Sequence, residues 1–142
     1  MKNEIIRLGQ ITIQFLLEAA DTKGTMAIFE FMVPVGEKVP VPHFHKNYDE
    51  TIYGIEGTIT FVVDGKTVEV EPGQSYFIPR GAVHGFNNLK QVNAKALAII
   101  TPARIGPDFF KETAVVVNTG GPPDIEKLKA VMTKHGLVPA MP

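Results

Sequence analysis

Residues 42–57 read PHFHKNYDETIYGIEG and carry two histidines and a glutamate in close succession. His43 and His45 alternate around Phe44, so on a β-strand both imidazoles leave from the same face. Glu50 follows His45 by five residues, which is enough chain to turn and bring a carboxylate back toward the same point. The stretch therefore predicts a site with two imidazole nitrogens and one carboxylate oxygen.

A second stretch, GQSYFIPRGAVHGFNN at residues 73–88, supplies a third imidazole. His84 follows a Pro-Arg-Gly turn, on a strand that is distant along the chain but expected to pair in space with the first stretch. Neutral imidazole and carboxylate together suit iron, manganese, nickel, copper, cobalt or zinc, and suit calcium or magnesium poorly. Four protein ligands on a six-coordinate ion leave two positions for other molecules. We therefore predict one divalent transition metal ion, held by His43, His45, Glu50 and His84.

Short strands at close spacing fill the first two-thirds of the chain. Apolar residues alternate from Ile11 to Phe15, and segments rich in apolar residues cover 26–33 and 94–101. The dipeptide Asp64-Gly65 separates two strand-like segments, and Asp-Gly readily takes the positive φ angles of a type I′ hairpin turn. Strand after strand joined by tight turns predicts an all-β sandwich or barrel.

The pattern changes after Pro102. Residues 105–111 combine a Gly-Pro dipeptide with the pair Phe109-Phe110, which predicts an irregular segment held against the barrel by aromatic burial. Apolar residues at helical spacing then follow a proline suited to a first helical turn, and they end before Gly136. We therefore predict one C-terminal helix over about residues 123–135.

Composition excludes several classes of function. The 142-residue chain has no cysteine, which removes disulfides, thiolate nucleophiles and cysteine-type metal sites. Its formal net charge of -1 argues against a surface that neutralises nucleic-acid phosphates. The longest apolar run, Ala96–Ile100, is far too short to cross a bilayer, and the N-terminus has no continuous apolar core of a signal peptide. We expect a cytoplasmic protein whose partner is a small molecule, with no nucleic acid and no membrane.

The spacing of these residues resembles that of the cupins, a superfamily of small β-barrels. Five residues match the first cupin motif, namely Gly36, His43, His45, Glu50 and Gly57. The one departure is a gap of six residues, where the motif has five, between the first glycine and the first histidine. Five more fill every fixed position of the second motif, namely Gly73, Pro79, Gly81, His84 and Asn88.

The resemblance implies a double-stranded β-helix barrel with one C-terminal α-helix. It implies a single domain over residues 1–142, with the barrel at about 10–101 and a C-terminal extension and helix at 102–142. Cupins of this size often pair through their N-terminal strands, so a homodimer through residues 1–33 is expected.

The chain is similar to small bacterial single-domain cupins that are often compared with quercetinases. This similarity favours a metal-dependent enzyme with dioxygenase-type chemistry on a small organic molecule, in which Glu50 also acts as a catalytic base. Two alternatives remain open. One is a metal-dependent isomerase or decarboxylase, and the other is a cupin that binds a small ligand without converting it.

Four further residues are candidates for substrate binding. Tyr48 lies in the loop between ligands, where it can face the barrel mouth. Phe61 and Phe86 fall on inward strand positions, and Asn88 shares the face of His84 because it follows by four residues. Each of the three inward side chains either lines a pocket or simply fills the barrel.

Overall fold

The computed structural model describes residues 3–39 and 41–140, which form two antiparallel β-sheets and three helices. The strands are β1 Ile5–Leu8, β2 Ile11–Leu17, β3 Ala27–Val33, β4 His43–His45, β5 Asp49–Glu56, β6 Ile59–Val63, β7 Lys66–Val70, β8 Ser75–Ile78, β9 His84–Asn87, β10 Ala94–Thr101 and β11 Leu137–Pro139. The helices are α1 Ala19–Thr22, α2 Pro107–Val117 and α3 Ile125–Lys134. One sheet has the order β1-β2-β3-β10-β5-β8, and the other has the order β11-β4-β9-β6-β7. This is the predicted all-β architecture, a double-stranded β-helix.

Alternation of side chains along the strands builds the core between the sheets. In β2 the side chains of Ile11, Ile13 and Phe15 are each no more than 5% exposed, as their spacing predicts. Small and large residues face each other across neighbouring strands: Ala96 of β10 pairs with Phe31 of β3, and Ala98 pairs with Phe29. The phenylalanines therefore occupy the interior volume that the alanines leave free.

The predicted hairpin is present between β6 and β7. Asp64 has a φ of 49° and Gly65 a φ of 79°, so both take the left-handed conformation that a type I′ turn requires. Ile59, Phe61 and Val63 all point into the core from β6. The turn and the alternation of buried side chains in β6 thus specify the same pairing register between β6 and β7.

The prediction of an irregular segment at residues 105–111 is wrong, because most of it belongs to α2. Gly106 is the N-cap, and a proline occupies the first turn, where its missing N–H costs no hydrogen bond. The run Val115–Val117 has low helix propensity and obscured this helix in the sequence. The predicted aromatic burial does occur, since Phe109 is 6% exposed and the ring of Phe110 lies 5.1 Å from that of Phe29.

The predicted helix at residues 123–135 is present as α3, so the C-terminal region holds two helices where one was expected. Asp124 caps α3, its carboxylate accepting a hydrogen bond from the backbone N–H of Lys127 at 3.1 Å. Leu128 and Met132 form its buried stripe. The short strand β11, which the sequence did not predict, then returns the chain to the edge of β4. Within residues 3–39 and 41–140, none of the helices has the length and apolar character needed to cross a membrane.

Candidate metal centre

Two strands of the five-stranded sheet bring the three predicted imidazoles together. His43 and His45 leave the same face of β4, with ring centroids 5.1 Å apart. His84 of β9 pairs directly with His43, and its ring centroid lies 4.9 Å from that of His43 and 4.6 Å from that of His45. One ligand nitrogen from each ring lies within 4.8 Å of the others, so the three histidines could hold a metal ion.

Backbone carbonyls set the tautomer of two of the rings. The Nδ1 of His43 lies 3.1 Å from the Val41 oxygen, and the Nδ1 of His84 lies 2.9 Å from the Ala82 oxygen. A carbonyl oxygen only accepts, so each Nδ1 carries the proton and donates it. The Nε2 lone pairs are then free for a metal, an arrangement that commonly orients histidine ligands.

His45 is held differently. Its Nδ1 is buried and has no hydrogen-bond partner within residues 3–39 and 41–140. Its ring instead stacks on the ring of Tyr48, with centroids 4.2 Å apart and planes 21° apart. The Tyr48 hydroxyl is also buried without a partner in that part of the chain. Packing on Tyr48 therefore orients His45 in place of a hydrogen bond.

Glu50 of β5 brings a carboxylate to the same point. Its Oε1 lies 3.7 Å from the Nε2 of His45 and 3.6 Å from the Nε2 of His84. The three histidines therefore form the group that could hold a metal, and Glu50 lies beside two of them. Imidazole nitrogens and a carboxylate oxygen match the donor preference of a divalent first-row transition metal, so the residues fit such an ion.

Burial keeps two of the imidazoles neutral. It lowers the pKa of His43 to about 3, with a further contribution from the nearby His84. Burial, together with His43 and His84, lowers the pKa of His45 to about 2. Burial is the largest single influence on His84 and acts to lower its pKa, but Glu50, the Ala82 carbonyl and Asp64 together outweigh it, and the net shift is upward. His43 and His45 are therefore in the metal-binding form throughout the neutral pH range.

A cavity of about 500 Å³ opens from the four residues into the barrel. Its walls are mostly apolar, and its polar side chains include Glu37, Lys38 and Thr113 as well as the imidazoles and Glu50. Phe31, Phe61 and Phe86 form a continuous aromatic wall, in which Phe86 lies 5.3 Å from Phe31 and 5.8 Å from Phe61 between ring centroids. Tyr48, Phe61 and Phe86 line the cavity, and their role in substrate binding stays a prediction.

Asn88, the fourth candidate, lies outside the cavity lining. It is 1% exposed, and its Nδ2 donates to the backbone oxygens of Val33 at 2.9 Å and Val92 at 2.8 Å. Its Oδ1 accepts from the N–H of Lys90 at 2.9 Å. These contacts tie the loop that follows β9 to the end of β3, so Asn88 has a structural role.

The C-terminal helices and β11 also line the cavity, which the sequence did not reveal. Phe109 and Thr113 of α2 line it, as do Leu128 and Met132 of α3 and Leu137 of β11. The only sequence signal for this role was the apolar stripe of the predicted helix, which indicates burial but not the surface that it covers.

Comparisons with known proteins agree with this geometry. A family model for the cupin domain matches residues 29–100. The chain is 28% identical over 89 residues to quercetin 2,3-dioxygenase of Bacillus subtilis, an alignment that covers 63% of this chain and 26% of that protein. It is 32% identical over 89 residues to the tetracenomycin polyketide synthase protein TcmJ of Streptomyces glaucescens, covering 62% of this chain and 59% of that protein. The chain thus spans less than two thirds of the length of either relative.

A solved structure shares the fold. The crystal structure of a predicted oxalate decarboxylase from Thermotoga maritima superposes with a TM-score of 0.64, at 23% identity, over 72% of this chain and 93% of that one. At this level of identity the likeness concerns the fold alone.

Proposed function

The chain belongs to the cupin family, and on that premise we propose that it is a metal-dependent enzyme with dioxygenase-type, quercetinase-like chemistry on a small organic molecule. The observation that carries the proposal is the position of Glu50. Its Oε1 lies 3.7 Å from the Nε2 of His45 and 3.6 Å from the Nε2 of His84, in the lining of a mostly apolar cavity. One carboxylate is thus placed to serve both as a ligand and as a base.

The ion is held by His43, His45, His84 and Glu50 in this proposal. When bound, a divalent transition metal supplies Lewis acidity and, for the redox-active ions, one-electron chemistry. Iron, manganese, nickel, copper, cobalt and zinc all accept this donor set, because their preferences for imidazole and carboxylate overlap. The neutral state of the buried imidazoles supports the assignment, since binding then requires no loss of a proton from His43 or His45.

Glu50 acts on the substrate in the proposed reaction. Its carboxylate accepts a proton from an enol or phenol hydroxyl at the imidazole end of the cavity, which leaves an electron-rich oxyanion ready for oxidation. The Tyr48 hydroxyl, buried and without a partner in the described chain, donates a hydrogen bond to a substrate oxygen. Burial and the Glu50 charge both raise the pKa of Tyr48 well above its usual value, so the phenol keeps its proton and remains a donor.

The apolar cavity walls determine which class of substrate fits beside the imidazoles. A volume of about 500 Å³ walled by Phe31, Phe61 and Phe86 accommodates a small aromatic or otherwise apolar molecule. Sugar-type substrates need hydrogen-bond partners along their length, and apart from the candidate ligands and Tyr48 the described lining offers only the polar side chains of Glu37, Lys38 and Thr113. The lining therefore favours the dioxygenase proposal over an isomerase that acts on sugars.

Dioxygen consumption tests the proposal. The metal-free protein is loaded separately with each of the six ions, and dioxygen uptake is measured with flavonols, diketones and thiols. Uptake that depends on both metal and substrate is expected. Glu50→Gln is the matched variant, because it retains an oxygen donor but loses the base, and we expect its turnover to fall by about 100-fold or more.

Other outcomes separate the alternatives. Product formed equally well without dioxygen would favour an isomerase or decarboxylase. Tight binding of a candidate molecule with no product after long incubation with metal and air would favour a binding protein. Absence of uptake with every pairing of metal and substrate would overturn the dioxygenase proposal.

The protein is further proposed to act in the cytoplasm as a homodimer. The low net charge of -1 supports self-association, because two copies repel each other weakly. Cell fractionation tests the location, and sedimentation tests the assembly.

A further inference from the structure

Glu37 is a charged side chain in the cavity lining that the proposed reaction does not use. It lies between β3 and β4 and is half-buried. Within residues 3–39 and 41–140 its carboxylate has no hydrogen bond and no ion pair. A carboxylate that is partly removed from water without a partner costs free energy, and a ligand that brings a hydrogen-bond donor offsets this cost.

The backbone of Glu37 is fixed in a part of the cavity away from the imidazoles. Its N–H donates to the oxygen of Pro34 at 3.0 Å, and its oxygen accepts from the N–H of Asn88 at 2.9 Å. Asn88 follows His84 by four residues, just beyond the end of β9, which separates the two by about 13 Å in extended chain. Glu37 and the imidazoles therefore contact different parts of any molecule in the cavity.

The Glu37 carboxylate lies where the β1–β2 turn and helix α2 meet the cavity. A Cβ atom at Gly9 would stand 3.9 Å from the Oε1 of Glu37 and 3.7 Å from the Cγ1 of Val117, and all three residues line the cavity. The N–H of Gly9 donates to the Oδ1 of Asn118 at 2.8 Å, and the Nδ2 of Asn118 donates to the oxygen of Arg7 at 2.8 Å. The wall around the carboxylate is thus held in place before a ligand binds, which lowers the cost of binding.

Lys38 is the other charged side chain in the lining apart from Glu50 and the imidazoles. It is exposed, whereas Glu37 is half-buried. Pairing an exposed ammonium group with an anion contributes little, because water solvates both charges. A partly desolvated carboxylate gains more from a donor. No ion pair joins Glu37 to Lys38 in the described chain, so the carboxylate remains available to a ligand.

We propose that the cavity binds an elongated molecule with an amine or a hydroxyl group at the end remote from the imidazoles, and that Glu37 accepts a hydrogen bond from this group. Glu37 is then a specificity-determining residue. The apolar middle of the molecule packs on the aromatic wall of Phe31, Phe61 and Phe86. Its other end is the enol or phenol that meets Glu50, and for that end the inference rests on the proposed function.

Calorimetric titration of the zinc-loaded protein tests the inference, because zinc is redox-inert and the probes are not consumed. The probes are phenols that carry a para hexylamine, hexanol or hexanoate chain, so only the remote group differs. The wild type is expected to bind the hexylamine about tenfold tighter than the hexanoate, with the hexanol between them. Glu37→Gln keeps the size of the side chain but removes its charge, and should weaken hexylamine binding about tenfold.

Glu56→Gln is the matched control. Glu56 is an exposed glutamate at the end of β5 and lies outside the cavity lining, so this variant should bind all the probes as the wild type does. Circular dichroism verifies the fold of each variant. Equal hexylamine affinity in the wild type and Glu37→Gln would overturn the inference, as would a wild type that binds none of the probes. Tightest binding of the hexanoate, lost in Lys38→Gln, would overturn it by assigning an anion to the ligand.

Failure of the proposed chemistry is distinguishable from failure of this inference. The titrations measure binding without turnover, so absence of dioxygen uptake would overturn the dioxygenase proposal and leave the role of Glu37 standing. A protein that takes up no zinc is titrated as purified, and the same loss of hexylamine affinity in Glu37→Gln is expected.

Discussion

Leu137 of β11 lies opposite His45 of β4 in an antiparallel pair, so the last strand of the chain braces a strand that carries two of the imidazoles. The other edge of β4 meets β9 through the single pair His43 and His84. The N–H of Ala140 adds a hydrogen bond of 2.9 Å to the oxygen of Pro42. The C-terminal segment therefore supports the candidate metal centre, although the two lie far apart in sequence.

Leu137→Ala should weaken both the fold and the metal centre. The side chain is 2% exposed, and its truncation is expected to lower the free energy of unfolding by about 2–4 kcal/mol. Competition with a chelator should show weaker metal binding, because β4 loses its support. Val138→Ala, at the half-buried next position opposite Phe44, is the matched control and should change both quantities less. Wild-type metal affinity in a folded Leu137→Ala protein would contradict the bracing role.

Features that depend on neighbouring residues were predicted from the sequence more accurately than contacts between residues far apart in the chain. The alternation of His43 and His45 and the Asp64-Gly65 turn are set by a few neighbouring residues, and both appear as expected. The strand β11 forms only because the edge of β4 is available, about 90 residues away in the chain. Likewise, the acceptor for Asn88 is the oxygen of Val33, 55 residues away, so spacing alone could not separate its two possible roles.

Acidification should destabilise the metal-free protein between pH 6.5 and about 3. His43 and His45 have folded pKa values of about 3 and about 2, against 6.5 in the unfolded chain. Between these pH values the two histidines are protonated in the unfolded chain but stay neutral in the folded chain. The free energy of unfolding therefore falls as the pH falls. The slope is about 1.4 kcal/mol per pH unit for each such proton. The raised pKa of His84 acts with the opposite sign, since its contribution is complete below pH 6.5 and is lost above it.

Denaturant unfolding at a series of pH values measures this effect. His45→Gln should show a shallower slope than the wild type between pH 6.5 and 4, and the carboxylates common to both proteins cancel in the comparison. Parallel slopes for the wild type and His45→Gln would show that burial does not depress the pKa of His45.

Two substitutions at Tyr48 should separate its two roles. Tyr48→Phe keeps the ring that stacks on His45 and removes the hydroxyl, so metal binding should persist while substrate affinity falls severalfold to tenfold. Tyr48→Leu removes the ring, and the metal dissociation constant should rise by up to about tenfold. Isothermal titration with the metal measures the second effect, and KM measures the first. Equal metal affinity in the two variants would show that the Tyr48 ring does not position His45.

Elemental analysis of protein purified without chelators or an affinity tag tests the metal centre most directly. The wild type should hold one equivalent of a divalent transition metal per chain. His84→Ala should hold none, because it removes the imidazole that contacts both β4 histidines and Glu50. His135→Ala should keep the full equivalent. Full occupancy in His84→Ala, or a wild type that binds none of the six ions on reconstitution, would contradict a metal centre built from His43, His45, Glu50 and His84.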